Sequence, residues 1–162
     1  MGAAPPGGDE PYLRRAIALA ARARANGRHP FGALIVSAQG EALAAAENRV
    51  VGPDSDATGH AELEAVRQAS RHHGPESLAT ATLYSSCEPC AMCAGAIYWA
   101  GVGRVVYGLA EARLAALTGA HPENPTLALP CREVFARGQR PVTVVGPLLE
   151  DEAAAVHAGF WR

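Results

Sequence analysis

The sequence lacks three features that would indicate a membrane, secretion or a nucleic-acid partner. No apolar run is long enough to span a bilayer, and no charged segment followed by an apolar one opens the chain. No block of Lys or Arg stands out, and the formal net charge is -2, which weighs against a long polyanionic partner. We therefore expect no membrane association, no nucleic-acid partner and a cytoplasmic location.

Charged residues are also few, at 19% of the 162 residues, whereas 49% are hydrophobic. This composition is typical of a globular chain and not of a disordered one. The length fits one domain with a sizeable core. Residues 1–8 are rich in Gly, Pro and Ala and are predicted to be a loose leader, so residues 9–162 form the predicted single domain.

The chain has only four cysteines, and their spacing argues against a disulfide framework. Cys87, Cys90 and Cys93 crowd into one short segment, a separation that suits metal binding better than disulfide pairing. We interpret Cys87 and Cys131 as buried or partly buried free thiols.

Hydrophobic periodicity predicts helices that alternate with strands after an initial helix and hairpin. The first helix begins near Asp9 and ends at Asn26, and later helices are predicted at 60–73, 90–100, 111–117, 131–136 and 150–158. Strands are predicted at 31–36, 41–46, 81–85, 104–107 and 142–145. This order favours an α/β fold whose largely parallel sheet is covered on both faces, with the first strand antiparallel.

Four residues in two short patterns, H-x-E and P-C-x-x-C, fall at two predicted helix starts. Cys90 and Cys93 are three residues apart and share a helix face, so both can bind one ion. With His60 they supply three ligands, which leave tetrahedral zinc the open position that a catalytic zinc needs. Glu62 is then placed to move protons to and from a water held there.

Three other interpretations stay open from the residues alone. A structural zinc site needs a fourth ligand, and Cys87 is close enough in sequence to be considered. Cys90 and Cys93 after a strand also resemble a dithiol redox centre of the thioredoxin kind, which gives His60 no role. Ordinary core packing is the third, although Glu62 beside buried thiols would be costly to keep charged.

Four segments carry a resemblance to a known family, namely residues 29–33, 47–49, 56–62 and 87–97. From about Pro11 to Tyr107 the chain resembles the zinc-dependent cytidine and nucleobase deaminase superfamily, which has the signature H-x-E…P-C-x-x-C. It is most similar to the branch of bacterial guanine deaminases, nucleoside deaminases and tRNA adenosine deaminase.

The resemblance implies a three-layer α/β/α sandwich with a mixed five-stranded sheet, assembled as a homodimer. It implies Zn²⁺ bound by His60, Cys90 and Cys93, with Glu62 as the catalytic proton shuttle. The implied reaction is hydrolytic deamination of an amino-substituted nucleoside or free nucleobase, with release of ammonia. We expect the apolar helix segment 94–100 to contribute to the dimer interface.

The resemblance also suggests residues that contact the substrate. Asn48 matches a family Asn that hydrogen-bonds the base or the sugar, and turn capping is the alternative role. Phe31 and Trp99 correspond to aromatic pocket walls, and packing in the core is the alternative for both. The backbone N–H groups of Ala61 and Cys90 lie at helix starts that suit a ring carbonyl.

Departures from the family pattern affect the predicted substrate. Guanine deaminases carry a longer C-terminal tail, whereas this sequence stops at Phe160-Trp161-Arg162, and Glu111 is no clear match to their acidic residue after the fourth strand. We therefore expect nucleosides as well as free bases, with cytosine-type substrates ahead of guanine-type. The alternative is tRNA adenosine-to-inosine editing, which the acidic segment 150–152 disfavours because basic residues usually hold the RNA there.

Several further polar residues receive predicted positions. Glu123 and Asn124 lie in the long loop after the helix 111–117 and either line the pocket or face solvent. Five histidines are expected on the surface or in loops: His29, His72, His73, His121 and His157.

Overall fold

The computed structural model describes residues 2–162 and contains seven helices and five strands in those residues. The helices are α1 (Glu10–Ala25), α2 (Ala61–His72), α3 (Pro75–Ala79), α4 (Ala91–Ala100), α5 (Glu111–Thr118), α6 (Cys131–Ala136) and α7 (Glu150–Ala155). The strands are β1 (Gly32–Val36), β2 (Ala42–Glu47), β3 (Thr82–Cys87), β4 (Arg104–Leu109) and β5 (Thr143–Val145).

All five strands form one mixed sheet in the order β2-β1-β3-β4-β5. Strand β1 runs antiparallel to both of its neighbours, β2 and β3. The pairs β3–β4 and β4–β5 are parallel. The five-stranded mixed sheet with an antiparallel first strand is therefore confirmed.

Helices cover both faces of the sheet and create two hydrophobic cores. One core packs α2, α4 and α6 against the sheet through residues such as Val66, Ile97 and Phe135. The other packs α1, α5 and α7 through residues such as Ile17 and Leu114. This confirms the three-layer α/β/α architecture, and it places the starts of α2 and α4 on the same side of the sheet.

The contact between α1 and β1 is unusually close and depends on a glycine. A Cβ atom on Gly32 would lie 2.5 Å from the Ala16 carbonyl oxygen and 2.6 Å from the Ala20 nitrogen. Ala16 and Ala20 are fully buried on the inner face of α1. Small side chains on both partners thus allow the backbone of α1 to pack directly against β1, next to Phe31.

Two local features differ from the sequence prediction. Pro75 ends one helix as expected, but it also begins the short helix α3, because proline is compatible with the first turn of a helix. The last helix ends at Ala155 and not at residue 158, since a turn follows it.

The leader contacts the rest of the fold. Residues 2–8 contain no helix or strand, but Pro5 is buried. The Tyr12 hydroxyl donates a hydrogen bond to the Pro6 carbonyl oxygen at 2.9 Å. The segment that we predicted to be loose is therefore held by α1 along part of its length. Within residues 2–162, no helix is both long enough and apolar enough to cross a membrane.

Candidate active site

Two helix starts carry the predicted metal ligands. His60 and Cys90 are the N-cap residues of α2 and α4, and both have an extended backbone. This conformation turns the chain from a loop or strand end into the helix. Cys93 lies within the first turn of α4 and is fully buried. The sequence therefore places one imidazole and two thiols at adjoining helix N-termini.

The donor atoms of these three residues are close enough to bind one ion. His60 Nδ1 lies 3.5 Å from Cys90 Sγ and 3.6 Å from Cys93 Sγ. All three donor atoms lie within 4.8 Å of one another. Zinc bound at about 2.0–2.3 Å by nitrogen and sulfur separates its ligand atoms by roughly 3.5 Å or slightly more. The donor set and its spacing thus fit a tetrahedral zinc ion with three protein ligands.

Contacts among the three candidate ligand side chains shift the pKa values of all three. A hydrogen bond from Cys93 lowers the pKa of the Cys90 thiol to about 4, and contact with His60 contributes. The same bond to Cys90 raises the pKa of Cys93. The pKa of His60 is also raised, chiefly by its hydrogen bond with Cys90. A thiolate is therefore available at Cys90, and thiolate is the form that binds a metal.

Glu62 lies in the first turn of α2, between the metal ligands and β3. Its side chain is buried, with 5% exposure, and its Oε1 accepts a hydrogen bond from the Ser85 hydroxyl at 2.8 Å. Burial raises the pKa of Glu62, because the charged carboxylate loses its hydration. Such a shift favours the protonated form and suits a carboxyl group that both accepts and donates protons.

A cleft opens beside these residues and encloses about 510 Å³ unfilled by protein atoms, including its open mouth. It is lined by His29, Phe31, Asn48, Val50, His60, Glu62, Cys87, Glu88, Cys90, Glu111, Leu114, Glu123 and Asn124. The structure thus brings Phe31 and Asn48 to the same cleft as His60, Cys90 and Glu62. Glu123 and Asn124 also reach it from the long loop.

Two predicted contact residues do not line this cleft in residues 2–162. Trp99 is 86% exposed on the outer side of α4, because Cys93 and Ile97 occupy the inner face. Within the single chain it lies neither in the cleft lining nor in the core, and its contact with substrate stays a prediction. Ala61 is fully buried in the core beside the sheet.

Two of the histidines expected on the surface or in loops lie outside the helices and strands but are buried. His29 and His157 are each 3% exposed. His29 packs edge-on against Trp161, with ring centroids 5.1 Å apart, and its Nε2 lies 3.3 Å from Glu123 Oε2. Trp161 Nε1 donates a hydrogen bond to His157 Nδ1 at 3.0 Å. Near the C-terminus, Trp161 therefore packs against His29 of the cleft lining, and His29 in turn contacts Glu123 of the long loop.

Three acidic residues lie around the cleft, and of these the sequence alone had offered only Glu123 as a candidate for its lining. Glu111 follows β4, and burial together with the nearby Cys90 raises its pKa to about 7. Glu88 is buried within the cysteine motif itself. Glu123 reaches the cleft from a loop without regular structure. None of these positions follows from hydrophobic periodicity, although the adjacency of Glu88 to Cys90 was a usable signal.

The alternative of a structural site with four protein ligands receives no support from the geometry. Among residues 2–162, the cluster of potential ligands contains His60, Cys90 and Cys93 but not Cys87. Cys87 is buried, and burial raises the pKa of its thiol. Cys131 is also a buried free thiol, as we expected.

The fold and the site together define a class: a zinc-dependent hydrolase whose metal has three protein ligands and a neighbouring carboxylic acid. Comparison with known proteins identifies the family. Residues 7–109 match the family described as the cytidine and deoxycytidylate deaminase zinc-binding region. The chain belongs to this family of zinc-dependent deaminases.

Individual relatives agree with this assignment. A probable cytosine deaminase from Schizosaccharomyces pombe is 44% identical over 94% of this chain and 92% of its own length. A tRNA-specific adenosine deaminase from Bacillus subtilis is 33% identical over 95% of this chain and 89% of its own. The solved guanine deaminase from Nitrosomonas europaea superimposes with a TM-score of 0.74 at 29% identity, covering 97% of this chain and 85% of that one.

Proposed function

We propose that this protein deaminates an amino-substituted nucleobase or its nucleoside by hydrolysis, with cytosine-type substrates ahead of guanine-type. One observation carries the proposal: Glu62, His60 and Cys90 line a single cleft with Phe31, and Cys93 lies directly behind it within ligand distance of His60 and Cys90. The likeness to a probable cytosine deaminase along almost the whole chain supports the order of substrates.

Glu62 performs the proton transfers in the proposed mechanism. When bound, zinc acts as a Lewis acid that makes water nucleophilic at neutral pH. The Glu62 carboxylate takes a proton from the attacking water as oxygen adds to the ring carbon that bears the amino group. It delivers this proton to a ring nitrogen, then takes the second proton from the added hydroxyl as the carbonyl forms and passes it to the amine, so that the C–N bond breaks and ammonia leaves. Its burial suits it to both roles, since its pKa is raised toward neutrality.

Asn48 and Phe31 orient the ring in this proposal. Asn48 is buried, and its Oδ1 accepts the Val50 N–H at 2.9 Å. This bond leaves the Nδ2 group of Asn48 to donate to an acceptor on the base. The flat face of Phe31 offers a stacking surface for a heteroaromatic ring. Both residues are therefore assigned to substrate binding.

An ammonia-release screen tests the proposal directly. The zinc-loaded protein is offered cytosine, cytidine, guanine, guanosine, adenosine and an anticodon-stem hairpin, with a zinc-loaded Glu62→Gln variant as the control. We expect release from a cytosine-type substrate that depends on Glu62. Release from guanine alone overturns the substrate order, and release from the hairpin alone establishes tRNA editing instead. Failure on every substrate overturns the proposed function.

Charge near the C-terminus favours small substrates over tRNA. Glu152 is paired with Arg14 at 3.0 Å, and Arg113 is paired with Glu150 and Asp151 at 3.2 and 2.8 Å. Arg14 and Arg113, the two basic side chains next to this segment, are thus already paired with acidic ones. We infer that the protein acts on a small-molecule substrate and that it does so in the cytoplasm, as the composition predicts.

The outer side of α4 is our candidate for a homodimer interface. Trp99 is 86% exposed and Met92 is 36% exposed on this helix. Large apolar side chains on one surface mark interaction sites in soluble proteins. We expect Trp99→Glu to shift sedimentation from dimer to monomer, whereas Leu127→Glu, in the exposed loop, leaves it unchanged. A wild-type monomer at micromolar concentration contradicts the interface.

A further inference from the structure

Glu88 is a buried carboxylate inside the cysteine motif that the proposed mechanism does not use. It stands two residues before Cys90 and is 8% exposed. No ion pair neutralises it in residues 2–162, since its carboxylate oxygens bind backbone groups instead. A buried carboxylate costs free energy unless hydrogen bonds compensate it, so its partners indicate what it contributes.

Those partners are the first residues of two helices. Glu88 Oε1 accepts the N–H of Glu111 at 3.0 Å, where α5 begins. Glu88 Oε2 accepts the N–H of Cys131 at 2.9 Å, where α6 begins. The backbone N–H of Glu88 donates to the Leu109 carbonyl oxygen at 2.7 Å. One residue therefore joins the end of β4, two helix starts and the turn that carries Cys90.

The helix α5 held in this way forms one wall of the cleft. Glu111 and Leu114 on α5 line the cleft that also contains Cys90. A second carboxylate, Glu150, accepts the neighbouring N–H of Ala110 at 3.0 Å but lies outside the cleft lining. The two carboxylates thus hold the same helix start, and only Glu88 connects it to the metal-binding turn.

We propose that Glu88 is a positioning residue of the active site, which fixes the α5 wall relative to the metal ligands and so sets the affinity for substrate. This inference rests on the proposed function. A misplaced wall weakens contacts that the substrate makes in both the ground state and the transition state, so it raises KM and leaves kcat largely unchanged.

Substitution of Glu88 by Gln tests this role with little change in shape. The carboxamide has one oxygen, so its NH₂ group must face one of the two backbone N–H donors. We expect zinc-loaded Glu88→Gln to show a KM raised at least tenfold, with kcat within threefold and full zinc content. The matched control is Glu150→Gln, whose amide oxygen can still accept the Ala110 N–H although the pair with Arg113 is lost, and we expect its KM within twofold of wild type because neither contact reaches the cleft.

Amide hydrogen exchange gives a second measurement that does not depend on turnover. In zinc-loaded Glu88→Gln, the amide of Glu111 or Cys131 should exchange at least tenfold faster than in wild type, with Ala110 unchanged. If the wild-type protein deaminates nothing, the proposed function fails, and faster exchange still sustains the link between Glu88 and α5. Unchanged exchange overturns that link whatever the activity.

Three outcomes overturn the positioning role itself. They are an unchanged KM in Glu88→Gln, a loss confined to zinc content or thermal stability, and an equal rise of KM in Glu150→Gln. Glu88→Asp replaces Glu88→Gln if the latter does not fold, because it keeps the charge but shortens the reach. If neither variant folds with zinc, Glu88 serves folding and the assignment is wrong.

Discussion

Two shielded carboxylates, Asp9 and Glu62, pack against opposite faces of the sheet and are stabilised differently. Next to α1, Asp9 forms two bonds with Arg104 at 2.6 and 2.8 Å and accepts a third from the Tyr84 hydroxyl at 2.7 Å. Next to α2, Glu62 accepts the Ser85 hydroxyl and pairs with no cation in the part of the chain described. Tyr84 and Ser85 are consecutive on β3 and point to opposite faces.

The difference shows how one strand supports stability on one face and chemistry on the other. The Arg104 guanidinium lowers the pKa of Asp9, so this carboxylate stays charged and cannot exchange protons near neutrality. Burial instead raises the pKa of Glu62. A fully paired charge thus stabilises the fold, whereas an incompletely paired one stays reactive.

The largest expected effect is on catalysis at the Glu62 face. Glu62→Gln should lower kcat about 10³-fold, or about 4 kcal/mol in the activation barrier, because the carboxamide cannot transfer protons. Zinc content should stay equal to that of wild type, since Glu62 is not a ligand. Turnover within tenfold of wild type removes the assigned role.

The next effect is on stability at the Asp9 face. Asp9→Ala leaves the buried guanidinium of Arg104 without its partner and should lower the free energy of unfolding by about 3 kcal/mol. Activity per folded molecule should not change. Urea denaturation measures the loss, and Glu10→Ala, which removes an exposed pair 3.8 Å long, should cost under about 0.5 kcal/mol. Equal losses in both variants contradict the comparison.

A smaller effect tests the single hydrogen bond to Glu62. Ser85→Ala should lower kcat about tenfold, because the carboxylate loses the donor that orients it, a change of about 1.4 kcal/mol. Ser86→Ala is the matched control, since Ser86 Oγ accepts the Gly32 N–H and does not contact Glu62. Steady-state kinetics of both variants measure the effect, and equal kcat values in the two would contradict the role of Ser85.

The smallest expected effect is the acid dependence of stability. The folded pKa of Asp9 lies below its ordinary value of 3.8, so the unfolded chain takes up the proton first as pH falls. The stabilisation by Asp9 is therefore complete well above pH 3.8 and is lost below it. The difference in unfolding free energy between wild type and Asp9→Asn should shrink as pH is lowered from 6 to 3. A constant difference contradicts the ion pair.

Much of the fold and the metal site followed from local sequence. His60 and Cys90 are N-cap residues at the predicted helix starts, and Cys93 follows one turn later, because these positions depend on neighbours only a few residues away. The five strands and the antiparallel first strand followed from periodicity, the mixed five-stranded sheet followed from the family resemblance, and the strand order was not predicted. Short-range geometry was sufficient for the ligand set.

Positions that depend on distant partners could not be predicted. His29 is buried because Trp161 packs over it from the other end of the chain. Trp99 lies outside the cleft because α4 turns Cys93 and Ile97 toward the core, a rotation that an almost uniformly apolar helix does not specify. The bonds of Glu88 to Glu111 and Cys131 span 23 and 43 residues. No periodic pattern encodes such pairs.

Gly32 limits how this enzyme can adapt to other substrates. Because a single added methyl group at residue 32 would collide with the backbone of α1, any larger residue there would push the helix away from the strand that follows Phe31. That wall of the cleft therefore tolerates little substitution. Variation in substrate size must then be accommodated by the long loop that bears Glu123 and Asn124, where insertions and exchanges cost little folding energy.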